Sequence, residues 1–600
     1  MGRKVIGMEK WFVAAKKADF ERWAQEFGIS PVLARIIRNR DLVEERDVRK
    51  YLYGTLEDCY SPWLLKDMDR AVELILNEIE GGKAVRVIGD YDVDGICSSY
   101  ILTKGLKALG ARVDTAIPHR IHDGYGLNEH LIEVAVEDGI HLIVTCDNGI
   151  AAGAQIQMAK EAGIKVVVTD HHEVPFVEMD GARQELLPPA DAVVDPKRAD
   201  CGYPYKNICG GVVAFKLMQA LQEKTGNVAL GGVMEELLQF AALATVCDVM
   251  ELRDENRIIV KEGLKLLKNT GNPGIRALME VNGIDPSRLS AYHLGFVIGP
   301  CLNATGRLDT ALRALELLES STRTQSYSAA QELKELNDSR KNLTLKGVEA
   351  AQEYIQERGI GEDRVMIVYL PKVHESLAGI IAGRIREKYN RPVFVLTKGE
   401  EGIKGSGRSI ETYHMYENMT AVKHHFSKFG GHKLAAGLTL LQDGRTEEEA
   451  VEAFRRDLND ICTLTEENFI PRVHIDVPMP MDYAGMELAR ELEKLEPFGV
   501  SNPKPLFAQK DIHFVRGFKM GAKLNFARFR VRTPQGMDGE LVFFGDLERF
   551  GSFLDEKYGQ GSSGRLYLEN CDYRVSVTYQ LGINAFRGNE NLQFVMQNYC

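Results

Sequence analysis

Residues 84–110, AVRVIGDYDVDGICSSYILTKGLKALG, contain the pattern from which the fold of this chain can be predicted. The opening run AVRVI predicts a buried β-strand, and the closing segment SSYILTKGLKALG has the amphipathic pattern of a helix. Similar strand-like runs follow at residues 111–117, 141–146, 165–169 and 191–194. Because strands and helices alternate, we expect an α/β fold in which βαβ units form a parallel sheet covered on both faces.

This pattern extends over residues 71–325, and the rest of the chain divides into four further regions. Residues 1–70 are charged and helical in pattern, and residues 326–358 predict one long polar helix that connects two domains. Residues 359–464 repeat the α/β pattern on a smaller scale. Residues 465–600 carry short runs that predict strands, among them VHIDV, DIHFVRGF, LNFARFRVR, ELVFF, RLYLEN and YRVSVTYQL. Their even spacing is typical of a small β-barrel, and we expect an OB-like fold.

Composition excludes several classes of protein. Of the 600 residues, 44% are hydrophobic and 27% are charged, which excludes a disordered, collagen-like or membrane-spanning chain. The N-terminal MGRKVIGMEK lacks the apolar segment of a secretory signal, and ten cysteines without a CxxC pair indicate reduced thiols. We therefore expect a cytoplasmic protein. The net charge of −12 argues weakly against a polyanionic partner, although local basic clusters decide that question.

Acidic and histidine residues follow the predicted strands and a predicted buried helix at residues 234–250. They are Asp90, Asp92 and Asp94 after the first strand, Asp147 after the third, Asp170, His171 and His172 after the fourth, and Asp248 at the end of the helix. Each aspartate alone is most simply a helix N-cap. Together, at the carboxyl edge of one sheet, they would repel one another unless a cation neutralised them. Several carboxylates with an imidazole suit Mn²⁺ or Mg²⁺, and the absence of clustered thiolates argues against zinc.

These motifs resemble those of a known family. GDYDVDG, CDNG, TDHHE and ATVCDV are similar, in that order, to the four motifs of the DHH phosphoesterase superfamily, and within it the chain resembles the RecJ family of single-strand-specific exonucleases. Further matches are IHDGYGL, GPCLNATGRL, HESLAGIIAGRI, KGSGRSI, FGGHKLAAGL and EPFGVSNPKP. The resemblance implies a DHH catalytic domain and a DHHA1 domain. It also implies cleavage of single-stranded DNA from the 5′ end into mononucleotides, in DNA repair and recombination.

The resemblance further implies roles for the acidic cluster. Asp147 would bridge two ions of Mn²⁺ or Mg²⁺. The other ligands would be Asp92 for one ion and Asp94, His171 and Asp248 for the second. Residues that support the ligands or handle protons would be Asp90, Asp170 and His172. Some relatives have a histidine at the position of Ile88, so we expect one ion to lack a ligand and to be held weakly until a substrate phosphate arrives.

Basic and glycine-rich segments supply the predicted contacts to a DNA strand. Arg307 is the predicted clamp on the scissile phosphate, with Asn303 in support, and Arg120 is a further candidate. In the region that resembles a DHHA1 domain, the candidates for contact with the strand are His374, Arg384, Lys404, Arg408, Gly430, Gly431 and His432. His424 and His425 are expected to be surface histidines without a function.

The strongest basic signal lies at residues 504–532, where eight lysines or arginines accompany one acidic residue and five phenylalanines. Charge along a backbone and rings that stack on bases are features of single-strand binders. The candidate contacts are Lys519, Lys523, Arg528 and Arg530. Several phenylalanines are expected in the barrel core instead, and the face that each side chain takes stays open because a slip of one residue reverses the pattern.

Three functions are compatible with these motifs. The first is an exonuclease on single-stranded DNA whose narrow passage excludes a duplex. The second is a phosphodiesterase on short oligonucleotides or cyclic dinucleotides, or a pyrophosphatase, against which the added basic β-domain argues. The third is a non-catalytic single-strand-binding relative, against which the intact acidic residues argue. The expected partners are single-stranded DNA and a helicase or single-strand-binding protein, with no membrane and a monomeric chain. Neither the polarity of digestion nor a preference for DNA over RNA follows from the residues themselves.

Overall fold

The computed structural model describes residues 9–120, 126–179, 182–399, 402–586 and 588–600. The first five residues of the IHDGYGL motif lie outside this part of the chain. The chain forms two compact units, one of residues 13–337 and 475–599 and the other of residues 338–474 with short terminal segments. Of the helices described, none is both long and apolar enough to cross a membrane.

The N-terminal region consists of a short strand and three helices. Their bounds are β1 (Lys10–Val13), α1 (Phe20–Phe27), α2 (Pro31–Asn39) and α3 (Glu45–Tyr53). The predicted helical pattern is confirmed for α1 to α3. Residues 10–13 form a strand instead, because they pair with a strand near residue 472 that is far away in sequence.

The first α/β region follows the predicted alternation. Its elements are α4 (Met68–Glu80), β2 (Ala84–Ile88), α5 (Val93–Ala108), β3 (Arg112–Ala116), α6 (Glu129–Glu137), β4 (Leu142–Cys146), α7 (Gly153–Glu161), β5 (Lys165–Thr169), β6 (Phe176–Met179), β7 (Ala182–Glu185), β8 (Ala192–Val194), α8 (Gly210–Thr225), α9 (Val228–Gly231), α10 (Met234–Cys247), α11 (Asp254–Leu267), α12 (Pro273–Val281), α13 (Ala291–His293), α14 (Gly299–Leu308) and α15 (Leu312–Glu319). Strands β6 and β7 form a separate antiparallel hairpin.

The parallel sheet has the order β3-β2-β4-β5-β8. Successive residues of its strands enter different cores: Val85 and Val87 pack on one face, and Ile88 packs on the other. The prediction of a sheet covered on both faces is therefore confirmed. Helices α5, α8 and α10 pack against one another on the first face. The predicted buried helix α10 has Asp248 as its C-cap residue, as expected.

A long helix leads to the second α/β region. It is α16 (Arg323–Arg358), and it is followed by β9 (Met366–Tyr369), α17 (Ala378–Tyr389), β10 (Val393–Gly399), β11 (Gly402–Arg408), α18 (Met415–Ala421), β12 (Phe426–Gly431), β13 (Ala435–Leu440) and α19 (Glu447–Asp460). The sheet order is β12-β13-β11-β10-β9, with β9 and β10 parallel and the other pairs antiparallel.

The C-terminal region forms the predicted barrel. Its elements are β14 (Arg472–Ile475), β15 (Val477–Pro478), α20 (Met486–Leu492), β16 (Phe507–Met520), β17 (Phe526–Arg532), β18 (Asp538–Phe543), α21 (Leu547–Tyr558), α22 (Ser562–Leu568), β19 (Tyr573–Phe586) and β20 (Asn589–Tyr599). Strand β16 pairs with both β17 and β19, which closes a five-stranded barrel. Helices α1 to α3 share a hydrophobic core with this barrel.

One predicted strand of the barrel region is wrong. The run RLYLEN belongs largely to α22, in which Leu566 is fully buried while Leu568 is 77% exposed. A run of this length fits the period of a strand and that of a helix, so the apolar pattern could not distinguish them. Packing of α22 against α21 and β16 decides the outcome.

Candidate active site

The carboxyl ends of β2, β4 and β5 bring the predicted acidic residues to one edge of the parallel sheet. Among the described residues, three sets of potential metal-ligating atoms within 4.8 Å of one another lie at this edge. The sets are Asp90 with Asp92 and Asp147, Asp94 with His171 and Asp248, and Asp147 with His171 and His172. Asp147 therefore lies between two groups of donors, and Asp90 lies among the potential ligands rather than behind them.

Helix N-termini hold two of the carboxylates in place. Asp92 is the N-cap of α5, and its Oδ1 accepts hydrogen bonds from the backbone N–H groups of Asp94 at 2.9 Å and Gly95 at 3.1 Å. Asp94 accepts bonds of 2.7 Å on both of its oxygens, from the N–H groups of Gly210 and Gly211 at the start of α8. Two backbone donors at the N-terminus of α8 therefore hold the Asp94 side chain in place. Sequence reasoning did not identify these two glycines.

Asp147 adopts an unusual backbone conformation at the end of β4. Its φ of 61° lies in the left-handed region, which is rare for a residue other than glycine and often marks a functional site. Its Oδ1 lies 3.0 Å from Nε2 of His171. A Cβ on Gly210 would lie only 2.7 Å from the Cβ of Asp147. Glycine at position 210 is therefore what lets α8 approach the acidic cluster.

Burial and mutual repulsion raise the pKa values of these carboxyl groups. Burial, followed by the charge of Asp92, raises the pKa of Asp90 to about 8. Burial, followed by the charges of Asp94 and Asp92, raises the pKa of Asp248 to about 9. The same causes keep the pKa of Asp147 well above its ordinary value. Burial lowers the pKa of His171, which leaves a neutral imidazole with a lone pair to offer.

These residues fit a divalent cation. Oδ1 of Asp90 accepts a 3.3 Å hydrogen bond from the N–H of Gly126, but its buried Oδ2 has no donor among the described residues. A buried carboxylate oxygen without a donor is costly unless an ion or water contacts it. Carboxylates with one neutral imidazole form the donor set that suits Mn²⁺ or Mg²⁺. Ile88 is fully buried in the apolar core and supplies no donor.

Asp170 and His172 form a hydrogen-bonded pair at the border of this cluster, where Nδ1 of His172 also lies 4.0 Å from Oδ1 of Asp147. Oδ1 of Asp170 lies 2.7 Å from Nδ1 of His172, and its Oδ2 accepts a 2.9 Å hydrogen bond from the N–H of Ile150. Burial opposes ionisation of Asp170, but the hydrogen bond and charge of His172 outweigh it and lower the pKa of that carboxyl. Burial also opposes the charged form of His172, yet Asp170 raises the pKa of the imidazole to about 9.

The structure adds a carboxylate at the end of a fourth strand of this sheet, which sequence reasoning missed. Asp195 follows β8 and is fully buried. Its Oδ1 accepts a 2.7 Å hydrogen bond from the N–H of Lys197, and its Oδ2 has no donor in the part of the chain described. Burial, followed by the charge of Asp170, raises the pKa of Asp195 to about 8. Its position directly after the run DAVV was the available signal.

Two predicted arginines lie beside the loop that joins Asp90 to Asp92. The guanidinium carbon of Arg120 lies 4.7 Å from the centroid of the Tyr91 ring. A Cβ on Gly306 would lie 2.4 Å from the carbonyl oxygen of Tyr91, so α14 contacts this loop at the residue before Arg307. Asn303 lies one turn earlier on α14, and its Oδ1 is buried without a donor among the residues described. The positions suit contacts to a substrate bound at the acidic edge.

In the other compact unit, antiparallel pairing brings two predicted segments together. Arg408 at the end of β11 lies opposite Ala435 on β13, and Gly431 on β12 lies opposite Ala436. The hairpin between β12 and β13, which includes Gly430, Gly431 and His432, is exposed. Arg408 is half-buried, and burial followed by the charge of Arg386 lowers its pKa. KGSGRSI and FGGHKLAAGL therefore form one surface.

Three further candidates of this unit have protein partners already. Nδ1 of His374 lies 2.7 Å from Oγ of Ser376, at the turn before α17. Nζ of Lys404 lies 3.3 Å from Glu375, and the exposed Arg384 lies 3.3 Å from Glu387. These ion pairs are surface or partly buried contacts, which are worth little energetically and leave the side chains able to exchange partners.

The barrel surface separates the phenylalanines into two groups. Phe507, Phe514 and Phe529 are fully buried, as expected for core residues. On the outer face, the guanidinium carbons of Arg516 and Arg528 lie 5.7 Å and 5.5 Å from the ring of Phe518. Partly exposed Phe526 stacks on Phe544, which is 60% exposed. The candidates Lys519, Lys523 and Arg530 are exposed. Phe518, Arg516, Arg528 and Arg530 therefore share one outer surface of β16 and β17. Lys519 lies in the other row of side chains, opposite Ala527, with its Nζ 5.1 Å from the centroid of the Tyr567 ring.

Comparison with known families matches three parts of the chain. Residues 84–245 match the DHH family, N-terminal domain, residues 362–463 match the DHHA1 domain, and residues 475–598 match the RecJ OB domain. The match to the RecJ OB domain agrees with the barrel, and the match to the DHH domain agrees with the parallel sheet.

Individual relatives cover almost the whole chain. The Single-stranded-DNA-specific exonuclease RecJ of Salmonella typhimurium is 33% identical over 593 residues, which are 95% of this chain and 96% of that protein. The protein of the same name from Bacillus subtilis is 34% identical over 578 residues, 96% of this chain and 68% of that one. The crystal structure of RecJ in complex with Mn²⁺ from Thermus thermophilus superimposes with a TM-score of 0.78 at 26% identity, and covers 98% of this chain and 79% of that one. This chain belongs to the RecJ family.

Proposed function

We propose that this chain is a single-stranded-DNA-specific exonuclease that hydrolyses phosphodiester bonds with the help of divalent cations. The observation that carries the proposal is the cluster of Asp90, Asp92, Asp147 and Asp248 with neutral His171, in which burial, followed by mutual repulsion, raises the pKa values of the carboxyl groups. Relatives with the name of this activity are 33–34% identical over nearly the full chain. Solved structures of RecJ are described in complex with Mn²⁺ and with Mg²⁺.

Two ions would be held by the two groups of donors. Asp90, Asp92 and Asp147 would hold one, and Asp94, His171 and Asp248 would hold the other. Asp147 would be shared, since its Oδ1 lies 3.0 Å from Nε2 of His171. Bound ions of this kind neutralise the non-bridging phosphate oxygens and acidify an attacking water. Because the first group contains carboxylates only and Ile88 adds no donor, we propose that it holds its ion less tightly.

Asp94 has a second role in this proposal. Both of its oxygens already accept short hydrogen bonds from the start of α8. Its carboxylate therefore fixes α8 against the acidic edge, and through Gly210 it fixes the backbone at Asp147. We assign Asp94 a positioning role in addition to ligation, because each carboxylate oxygen that accepts one hydrogen bond keeps a lone pair for a cation.

The neighbouring residues bind the substrate and hold a proton. Asp170 keeps Nδ1 of His172 protonated, so the opposite edge of the imidazole can present an Nε2–H to a phosphate oxygen. Arg120 and Arg307, on either side of Tyr91, would grip the scissile phosphate, and the amide of Asn303 would assist. Charge-assisted hydrogen bonds of this type are the strong ones for phosphate.

Two further surfaces would bind the rest of the strand. In the unit of residues 338–474, Arg408 and the hairpin with Gly430, Gly431 and His432 present a guanidinium and accessible backbone N–H groups to a phosphate. His374, Lys404 and Arg384 would add contacts. On the barrel, Phe518, Arg528 and their neighbours would combine stacking with charge, with Lys519, Lys523 and Arg530 nearby.

The same proposal includes digestion from the 5′ end, release of mononucleotides and a role in repair and recombination. It also includes a monomeric state, a cytoplasmic location and a partner that is a helicase or a single-strand-binding protein.

The test uses a 5′-phosphorylated single strand labelled at one end or the other. With Mn²⁺, the full chain should release the 5′ label at once as a mononucleotide, shorten the 3′-labelled strand gradually, and leave a blunt duplex intact. Asp147→Asn should abolish release. Asp41→Asn is the matched control, since Asp41 is an exposed aspartate with φ of 66° outside the cluster, and it should cut normally.

Two results would contradict the proposal. Turnover of a dinucleotide or of pyrophosphate with long strands untouched would favour the hypothesis of a phosphodiesterase or pyrophosphatase. Tight binding of single strands without cleavage in Mn²⁺ or Mg²⁺ would favour the hypothesis of a non-catalytic single-strand-binding protein. Immediate release of a 3′ label would overturn the proposed polarity alone.

A further inference from the structure

Two adjacent histidines of the unit with residues 338–474 converge on one carboxylate. Nε2 of His425 lies 2.9 Å from Oδ2 of Asp457, and Nε2 of His424 lies 3.4 Å from the same oxygen. The two imidazole rings lie side by side, with centroids 4.2 Å apart and an angle of 40° between their planes. Among the described residues, this is the one set of metal-ligating type that lies outside the acidic edge of the parallel sheet.

The three side chains are held by the backbone around them. A single 3₁₀ turn, Lys423–His425, carries both histidines, and its N–H and C=O groups at His425 bond to Val422 and Leu441. His425 is buried, with 3% of its side chain exposed, whereas His424 is 62% exposed. Asp457 lies on α19, where its other oxygen is 3.5 Å from Nε of Arg456. The arrangement therefore does not depend on flexible surface side chains alone.

The distances are close to those in the coordination shell of a small transition-metal ion. Donors bound tetrahedrally at about 2.0–2.1 Å lie roughly 3.3 Å apart. The 3.4 Å separation of His424 from Asp457 is close to that value, and the 2.9 Å hydrogen bond of His425 to the same oxygen would lengthen by a few tenths of an ångström around an ion. Two imidazoles with one carboxylate are a common ligand set of zinc sites that keep an open position. A cleft of about 960 Å³ borders the three residues, so water can complete the shell.

We propose that His424, His425 and Asp457 form a second metal site, which takes a Zn²⁺-type ion and ties the turn before β12 to α19. The site differs in chemistry from the acidic cluster, which offers mostly carboxylate oxygens and therefore suits Mg²⁺ or Mn²⁺. Because β12 runs from this turn to Gly430 and Gly431, an ion here would stiffen the strand that carries the exposed hairpin. The inference is independent of the proposed nuclease activity.

The experiment is a calorimetric titration of the full chain with Zn²⁺ in excess Mg²⁺, which occupies the carboxylate-rich cluster. Compared with the unmodified chain, His424→Ala and Asp457→Asn should each lose one equivalent of bound Zn²⁺ or bind it at least about 100-fold more weakly, since even an outer-shell partner is worth roughly 10- to 100-fold. His130→Ala, which removes an exposed histidine of α6, should bind like the unmodified chain.

Two checks keep the result decisive. Both test variants should cleave single strands with Mn²⁺ at the rate of the unmodified chain, which shows that they fold. If His424→Ala does not fold, the Zn²⁺ titration of Asp457→Asn decides the result. Unchanged Zn²⁺ stoichiometry and affinity in both variants would overturn the proposal and leave the trio as hydrogen-bonded imidazoles and a carboxylate. Loss of the equivalent in His130→Ala as well would also overturn it.

Discussion

The backbone N–H of Gly210 donates a 2.7 Å hydrogen bond to Oδ2 of Asp94, across 116 residues of sequence. If this residue carried a Cβ, that atom would lie only 2.7 Å from the Cβ of Asp147. One residue without a side chain therefore joins the start of α8 to two members of the acidic cluster, and the geometry of the cluster depends on it.

Gly210→Ala is expected to displace Asp147 or the start of α8, because the added methyl group overlaps Asp147. Overpacking of this kind costs about 1–3 kcal/mol, and the shift should reduce the cleavage rate on single strands. Gly153→Ala at the start of α7 is the control, since nothing lies within 4 Å of its added Cβ. Wild-type cleavage and thermal stability of Gly210→Ala would show that α8 does not position the cluster.

Asp147→Asn is expected to stabilise the metal-free protein while it removes activity. Burial, followed by the charges of the neighbouring carboxylates, disfavours the ionised form of Asp147, whereas asparagine carries no charge to bury, so in EDTA the free energy of unfolding should rise by at least about 1 kcal/mol. Mn²⁺ should raise the melting temperature of the unmodified chain but not that of the variant. Asp138→Asn is the control. It should lower the free energy of unfolding in EDTA, because Asp138 forms an ion pair with Arg86 at 2.8 Å. A fall in stability for Asp147→Asn would contradict the repulsion argument.

Asp195→Asn is expected to change the pH dependence of stability. The folded state raises the pKa of Asp195 from 3.8 to about 8, so the folded chain holds a proton there that the unfolded chain has lost. Stability from this group therefore falls as pH rises between these two values. Over that range, the free energy of unfolding of the variant should rise relative to that of the unmodified chain by up to about 1.4 kcal/mol per pH unit. Above that range the difference should stay constant. Urea unfolding in EDTA at several pH values measures this. Parallel curves would mean that Asp195 ionises normally.

Arg408→Ala is expected to raise KM for single strands roughly 10- to 100-fold, since a charge-assisted hydrogen bond to phosphate contributes about 1.5–3 kcal/mol. Arg408→Lys should recover part of the loss, because it restores the charge but not the two-pronged geometry. Lys398→Ala on the same sheet removes a cation that is paired with Glu447, and it should leave KM unchanged. Equal KM values for all three variants would exclude Arg408 from strand binding.

Phe518→Ala and Arg528→Ala are expected to weaken binding of long single strands. Loss of one stacking platform costs about 1–3 kcal/mol per base, and loss of one phosphate contact should reduce the slope of log affinity against log salt by about 0.7. Arg532→Ala is the control, because Arg532 on the same strand makes hydrogen bonds of 2.8 Å and 3.4 Å to the two oxygens of Asp538, whereas Arg528 makes only a 3.5 Å ion pair with Glu540. Fluorescence anisotropy at several salt concentrations distinguishes the two losses. An unchanged salt slope for Arg528→Ala would contradict a phosphate contact.

The sequence alone was sufficient to predict the parallel sheet, the buried helix that ends at Asp248 and the closed barrel, because apolar periodicity is local and each strand end is marked by its own motif. It also predicted which aspartates and histidines meet, since the carboxyl ends of parallel strands share one edge. Only the tertiary structure decided which donors each carboxylate oxygen meets. Both oxygens of Asp94 accept hydrogen bonds from the start of α8, Oδ2 of Asp90 has no donor among the described residues, and Asp195 is buried beside Asp170. Hydrogen bonding and burial arise from residues distant in sequence, so no local pattern encodes them.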